Sequence, residues 1–128
     1  MIQSYDQIKQ QANEINSDLS DVVYIQKIYS SSYFISLGLR YKGQTKHLYI
    51  GRGSGYEGLW LSQRRVEPTL RQIDKFLEYV RKHLGSSSLR RIDIDTDDRI
   101  VRIKYFKWGR DNYFYLFYKA RKLYFANT

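Results

Sequence analysis

The chain of 128 residues contains no cysteine. That excludes a disulfide scaffold, a thiol nucleophile and a cysteine-type zinc site, and it fits a reducing compartment. No run of about 18 apolar residues occurs, so no membrane-spanning helix is expected. Met1 to Asn16 is polar and lacks an apolar signal-peptide core, so a cytoplasmic location is expected. Histidine is confined to His47 and His83, and no G-x-S-x-G elbow exists, which leaves a serine triad without support. Acids are the minority charge: 13 Asp and Glu stand against 22 Lys and Arg, a net charge of +9.

The content that remains is that of one folded domain, residues 1–128. Apolar residues make up 42%, enough for a core, and charged residues make up 27%. The charge is uneven. Residues 1–39 hold only Lys9 and Lys27 against four acids, so the excess of bases lies in the rest of the chain. A basic body of this kind attracts polyanions, nucleic acid first. Aromatic residues reach 16%, with 13 tyrosines.

The spacing of Tyr5, Ile8, Ala12, Ile15 and Leu19 predicts an amphipathic helix, with Ser4 and Gln7 as a capping box. Val22 to Tyr29 and Tyr33 to Tyr41 read as strands, the second alternating strictly, and a turn at Lys42-Gly43-Gln44 leads to a third strand, His47 to Ile50. Gly51 to Gly58 is a glycine-rich loop before a short strand at Leu59 to Leu61. After Pro68, the stripe Leu70, Ile73, Phe76, Leu77, Val80 and Leu84 predicts a second helix, with Gly85 as its C′ residue and with Phe76 and Leu77 buried on the sheet. Leu89 to Ile94, Ile100 to Phe106, Tyr113 to Tyr118 and Leu123 to Ala126 complete the strands, with a hairpin at Gly109 to Asn112. The expected fold is α+β: an antiparallel β-sandwich or barrel-like sheet of about seven to eight strands with two amphipathic helices.

Gly53-Ser54-Gly55-Tyr56-Glu57-Gly58 matches G-x-G-x-x-G, but Leu59-Trp60-Leu61-Ser62 follows it with no helical period. A hairpin loop is expected there, and no bound cofactor. Asp93, Asp95, Asp97 and Asp98 lack the ligand order of a calcium loop and read as a solvated turn paired with Arg90, Arg91 and Arg99. Lys104 to Arg110 and Tyr118 to Tyr124 interleave cations with rings. Such strands place cations for phosphates and rings for unpaired bases; a ring-packed core face with a wet basic face would give the same pattern.

From Val23 to Asn112 the sequence resembles the N-terminal domain of the NFACT family, which includes RqcH, its counterpart NEMF, and proteins labelled fibronectin-binding. The resemblance is carried by Ile25-Gln26-Lys27-Ile28, Ile35-Ser36-Leu37-Gly38-Leu39-Arg40, His47-Leu48-Tyr49-Ile50, Val80-Arg81-Lys82-His83-Leu84-Gly85 and Asp98-Arg99-Ile100-Val101. It implies a domain of ribosome-associated quality control that recognises tRNA, with tRNA or ribosomal RNA and the large subunit carrying a stalled nascent chain as partners. It implies no catalysis by this domain, no small-molecule cofactor and no membrane. The implied RNA-binding residues are Asp98, Arg99, Arg81, Lys82, His83, Arg102 and Lys104. Asp98 and Arg99 stand where the acidic turn enters a strand, so their side chains are expected on opposite faces of the sheet. The family is also similar in fold to the N-terminal domain of MutM-type glycosylases. Those act through an N-terminal proline, and this chain begins Met1-Ile2. The second reading of the same sequence is a protein-interaction or adhesin-like scaffold domain of the fibronectin-binding type.

Overall fold

A computed structural model of the chain describes residues 5–17, 22–52, 56, 58–95, 100–119 and 122–127. The first helix, α1 (Tyr5–Ser17), forms where apolar residues recur at helical spacing, and it buries Ile8, Ala12 and Ile15. Ser4 and Leu19 lie outside the described residues. A meander follows: β1 (Val23–Ser30), β2 (Phe34–Tyr41), β3 (Gln44–Gly51) and β4 (Leu59–Ser62). Helix α2 (Lys75–Leu84) leads to a second meander, β5 (Ser87–Asp95), β6 (Ile100–Lys107), β7 (Arg110–Lys119) and β8 (Lys122–Asn127). All eight strands join one antiparallel sheet in the order β4-β3-β2-β1-β5-β6-β7-β8.

The two meanders are joined narrowly. β2 and β3 pair over eight residues, as do β6 and β7, whereas β1 and β5 pair only at Val23–Leu89, Tyr24–Ser88 and Ile25–Ser87. Beyond that ladder, the Asn16 side chain of α1 takes the place of a strand for β5. Its Nδ2 donates to the Ile92 carbonyl at 2.6 Å, and its Oδ1 accepts from the Ile92 amide at 2.8 Å. The helix α1 packs on β5 and β4, and α2 packs on β1, so one apolar cluster unites both helices with the inner faces of both meanders. Asn16→Ala leaves both Ile92 groups unpartnered and should cost about 1–3 kcal/mol in denaturant melts. A loss under about 0.5 kcal/mol would mean that water replaces the amide freely.

The second helix starts later than its apolar spacing predicts. Pro68–Leu70 is a single 3-10 turn, Leu70 and Ile73 are 50% and 81% exposed, and α2 begins only after Asp74. Asp74 decides the start: its Oδ1 accepts from the Leu77 amide at 2.8 Å, and its Oδ2 accepts from Arg52, at the end of β3, at 3.2 Å. Leu77 is buried as expected. Phe76 is only half-buried, with the Arg52 guanidinium 4.3 Å over its ring. Gly85 does not take the left-handed conformation expected of a C′ residue. Its φ is −62°, and Ser86 carries the positive φ of 57°. A side chain at Gly85 would instead meet the Arg81 carbonyl oxygen at 2.5 Å.

Two of the hairpin turns put two consecutive residues at positive φ, Lys42–Gly43 and Trp108–Gly109, as type I′ turns require. The second, closed by Lys107 and Arg110, lies two residues earlier than the expected hairpin at Gly109 to Asn112. Lys107, just before it, donates to the carbonyls of Lys82 at 2.8 Å and Gly85 at 2.6 Å, satisfying the end of α2.

Candidate nucleic-acid interface

Alternation along β6 sends Val101, Ile103 and Tyr105 into the core and Arg102, Lys104 and Phe106 to the other face. The neighbouring strands obey the same rule, with Phe114 and Leu116 of β7 buried and Tyr113, Tyr115 and Phe117 outward. Register then decides which outward side chains meet. Arg91, Lys104 and Tyr113 form one row across β5, β6 and β7; Asp93, Arg102 and Tyr115 form the next, and Asp95, Ile100 and Phe117 the third. Along β7 the rings make a column: Tyr113 to Tyr115 and Tyr115 to Phe117 are each 6.4 Å between centroids, the latter pair stacked at 23°.

The four cations Arg90, Arg91, Arg102 and Lys104 stand among three acids, Asp93, Asp95 and Asp111. Asp93 receives Arg91 at 2.7 Å and Arg102 at 3.1 Å. Burial alone would raise the Asp93 carboxyl, but the hydrogen bonds from Arg102 and Arg91 outweigh it and hold it below its usual range. The bond to Asp93 likewise raises Arg102, so both stay charged. Asp111 lies 3.6 Å from Arg90 and 3.9 Å from Lys104. Arg102 sits 5.4 Å over the Tyr113 ring, and Arg90 sits 4.9 Å over Phe106. Exposed pairs of this kind are worth only about 0–1 kcal/mol, so a phosphate can compete for the same guanidinium groups. An open depression of about 410 Å³ lies at Asp93, Asp95, Ile100, Arg102 and Tyr115.

The structure divides the residues expected to bind RNA. Arg102 and Lys104 stand together on this face. Arg81, Lys82 and His83 are on α2, which packs against the inner side. Arg81 is occupied by the Ile28 carbonyl of β1, through Nε at 3.1 Å and Nη2 at 2.8 Å. His83 is buried among Tyr79, Phe114 and Trp108. Lys82 remains exposed but is separated from Arg102 by the sheet. Asp98 and Arg99 lie outside the described residues, as do Gly53 to Gly55 and Glu57. A strand, β4, and not a helix follows that glycine-rich loop, and the Gly51 amide closes it on the Gly58 carbonyl at 2.9 Å.

Of the expected acid pairs, Asp93–Arg91 is present, whereas Arg90 pairs with Asp111. The ring column of β7 was missed as a functional feature, although its period-2 spacing of Tyr113, Tyr115 and Phe117 is visible in the sequence. Lys107 belongs to the same basic-aromatic run as Lys104 but serves the end of α2.

Burial, with Lys82 and Lys107 nearby, holds His83 below its ordinary value of 6.5. A folded value below the unfolded one means that the stability from neutral His83 is complete above about pH 6.5 and is lost as pH falls through the folded value. Denaturant melts between pH 7.5 and 5 should show falling stability, and His83→Phe should flatten part of that slope. An unchanged slope in His83→Phe would assign the acid sensitivity elsewhere.

No protein-family model and no curated protein matches the sequence. Solved structures do. The N-terminal domain of fibronectin-binding protein PavA from Streptococcus pneumoniae superposes with a TM-score of 0.72 at 21% identity, over 91% of this chain and 48% of that one. The N-terminal part of the fibronectin/fibrinogen-binding protein FBPS from Streptococcus suis gives 0.68 at 18%, over 94% and 48%. The fibrinogen-binding protein from Staphylococcus aureus gives 0.67 at 17%, over 98% and 47%. The chain thus spans about half the length of these solved chains. At such identity the likeness concerns architecture, and it bears out the fold implied by the sequence resemblance: this chain has the fold of the N-terminal parts of fibronectin-binding proteins.

Proposed function

We propose that the outer face of β5–β7 binds unpaired RNA, as a non-catalytic module. The observation that supports this is the register of the rows Arg91–Lys104–Tyr113 and Asp93–Arg102–Tyr115, which sets guanidinium and ammonium groups beside a column of rings. Cations neutralise successive phosphates while rings accept bases, which is how sheet surfaces hold single strands. The NFACT resemblance narrows the RNA to tRNA, in the setting of a large ribosomal subunit with a stalled chain, and adds Asp98 and Arg99 to its recognition.

The test is a titration with tRNA and with a single-stranded oligoribonucleotide at several salt concentrations. With Arg90, Arg91, Arg102 and Lys104 on four phosphates, log K should fall with log salt at a slope of about −3. Affinity would then drop roughly 50-fold between 50 and 200 mM salt. A flat response would remove the RNA reading. The names of the solved neighbours favour a second reading, in which the domain binds a protein such as fibronectin or fibrinogen. In that case immobilised fibronectin, and not RNA, would retain the chain, and Arg102→Gln would leave RNA retention at background.

A further inference from the structure

The outer surface of the other meander carries a different feature. Tyr29, Ser36 and Tyr49 stand in one row across β1, β2 and β3, and Gly38 pairs with His47 in the next. Residues 63–71 cross this surface. The Tyr49 hydroxyl donates to the Arg64 carbonyl, and Arg71 donates from Nε to the Val66 carbonyl at 3.0 Å while its guanidinium lies 3.9 Å over the Tyr29 ring. Between the strands and this segment is a pocket of about 260 Å³, lined among others by Gln26, Lys27, Gly38, Thr45, His47 and Arg65.

Two observations make it a built site. Gly38 leaves its floor open: a Cβ there would stand 3.0 Å from the Lys27 carbonyl oxygen and 3.8 Å from His47 Nδ1. His47 is only 9% exposed, and its Nδ1 is buried without a hydrogen-bond partner. A buried polar atom left unpaired is uncommon and costs about 1–3 kcal/mol, so His47 Nδ1 at this pocket points to a polar occupant. The sign of that occupant follows from the lining. Lys27 and Arg65 are cations with no ion-pair partner among the described residues, and no acid lines the pocket. Burial, with Arg65 beside it, keeps His47 below its ordinary value, so the ring is neutral and can present an N–H at Nδ1. The Thr45 hydroxyl accepts from Arg40 at 3.1 Å and keeps its own proton to donate.

We infer that this pocket binds a terminal phosphate group, with His47 Nδ1 and the Thr45 hydroxyl donating hydrogen bonds and Lys27 and Arg65 supplying the charge. A phosphate monoester carries about −1.5 to −2 charges and three acceptor oxygens, which match two cations and two donors. An internal phosphodiester offers one charge and two free oxygens and leaves part of that set unused. The inference does not depend on RNA binding at β5–β7, because a mononucleotide or inorganic phosphate is sufficient to occupy the pocket.

The experiment follows the imidazole resonances of His47 in the full chain during titration with inorganic phosphate, a ribonucleoside 5′-monophosphate, and an oligoribonucleotide with either a 5′-phosphate or a 5′-hydroxyl. The expected result is a saturable shift of His47 with phosphate-terminated probes and at least tenfold weaker binding in Lys27→Gln/Arg65→Gln at an unchanged melting temperature. These two side chains are not in the core, so the double variant tests the site even if Gly38→Ala, which fills the floor, fails to fold. Binding of inorganic phosphate as tight as the nucleotide identifies free phosphate as the source. Preference for the 5′-phosphorylated oligonucleotide identifies an RNA end. The inference is overturned if His47 shows no saturable shift, if the double variant binds as the parent does, or if the 5′-hydroxyl oligonucleotide moves His47 equally.

Discussion

Phe114→Ala is expected to remove about 3–5 kcal/mol of stability, the transfer and cavity cost of a fully buried aromatic ring. Phe114 is 0% exposed, pairs with Ile103 on β6, and lies 6.0 Å from the Tyr79 ring and 6.3 Å from that of His83 on α2. It therefore couples the second meander to the helix. For a single domain, whose total stability is about 5–15 kcal/mol, such a loss brings the chain close to unfolding at 37 °C. Urea melts followed by near-ultraviolet circular dichroism measure it directly. A loss below about 1 kcal/mol would mean that β7 is turned over, with the register slipped by one residue.

Tyr115→Ala, one position along, is expected to do the reverse. Tyr115 is on the opposite face, beside Arg102 and stacked with Phe117, so its removal should cost no more than about 1.5 kcal/mol of stability. Its effect should appear in binding. Loss of one base-stacking platform weakens single-stranded RNA by about 1–3 kcal/mol, roughly 5- to 150-fold in Kd. The loss should persist at high salt, because stacking releases no counterions, whereas Arg102→Gln and Lys104→Gln should each reduce the salt slope by about 0.7. If Tyr115→Ala binds RNA as the parent does at a fixed salt concentration, the ring column is only packing and the cations act alone.

The contrast between these two positions separates what is local from what is not. Alternation is a property of the backbone of one strand, so Ile35, Leu37 and Leu39 are legible as a buried face from the sequence, as is the helical stripe of Ile8, Ala12 and Ile15. The strand order in the chain, the two glycine-containing hairpins and the α+β class follow from the same local rules. The motif-bearing residues Arg102 and Lys104 are legible too, because a strand that buries Val101, Ile103 and Tyr105 must turn them outward.

Tertiary contacts decided the rest. In β1 and β5 the inward residues are spaced by three, Ile25 to Ile28 and Leu89 to Ile92, because a bulge in each strand shifts the register against its neighbour. The start of α2 is set by the Asp74 cap, which Arg52 holds from just beyond β3, and not by the apolar spacing of Leu70 and Ile73. Arg81 and His83, the specific part of a sequence motif, are claimed by a β1 carbonyl and an aromatic cluster. The rows that bring Arg102 to Tyr115, and Gly38 to His47, depend on pairing between strands. The sequence by itself determined which side chains face out; the register and the contacts between distant elements determined which of them meet, because those interactions join residues that no local periodicity connects.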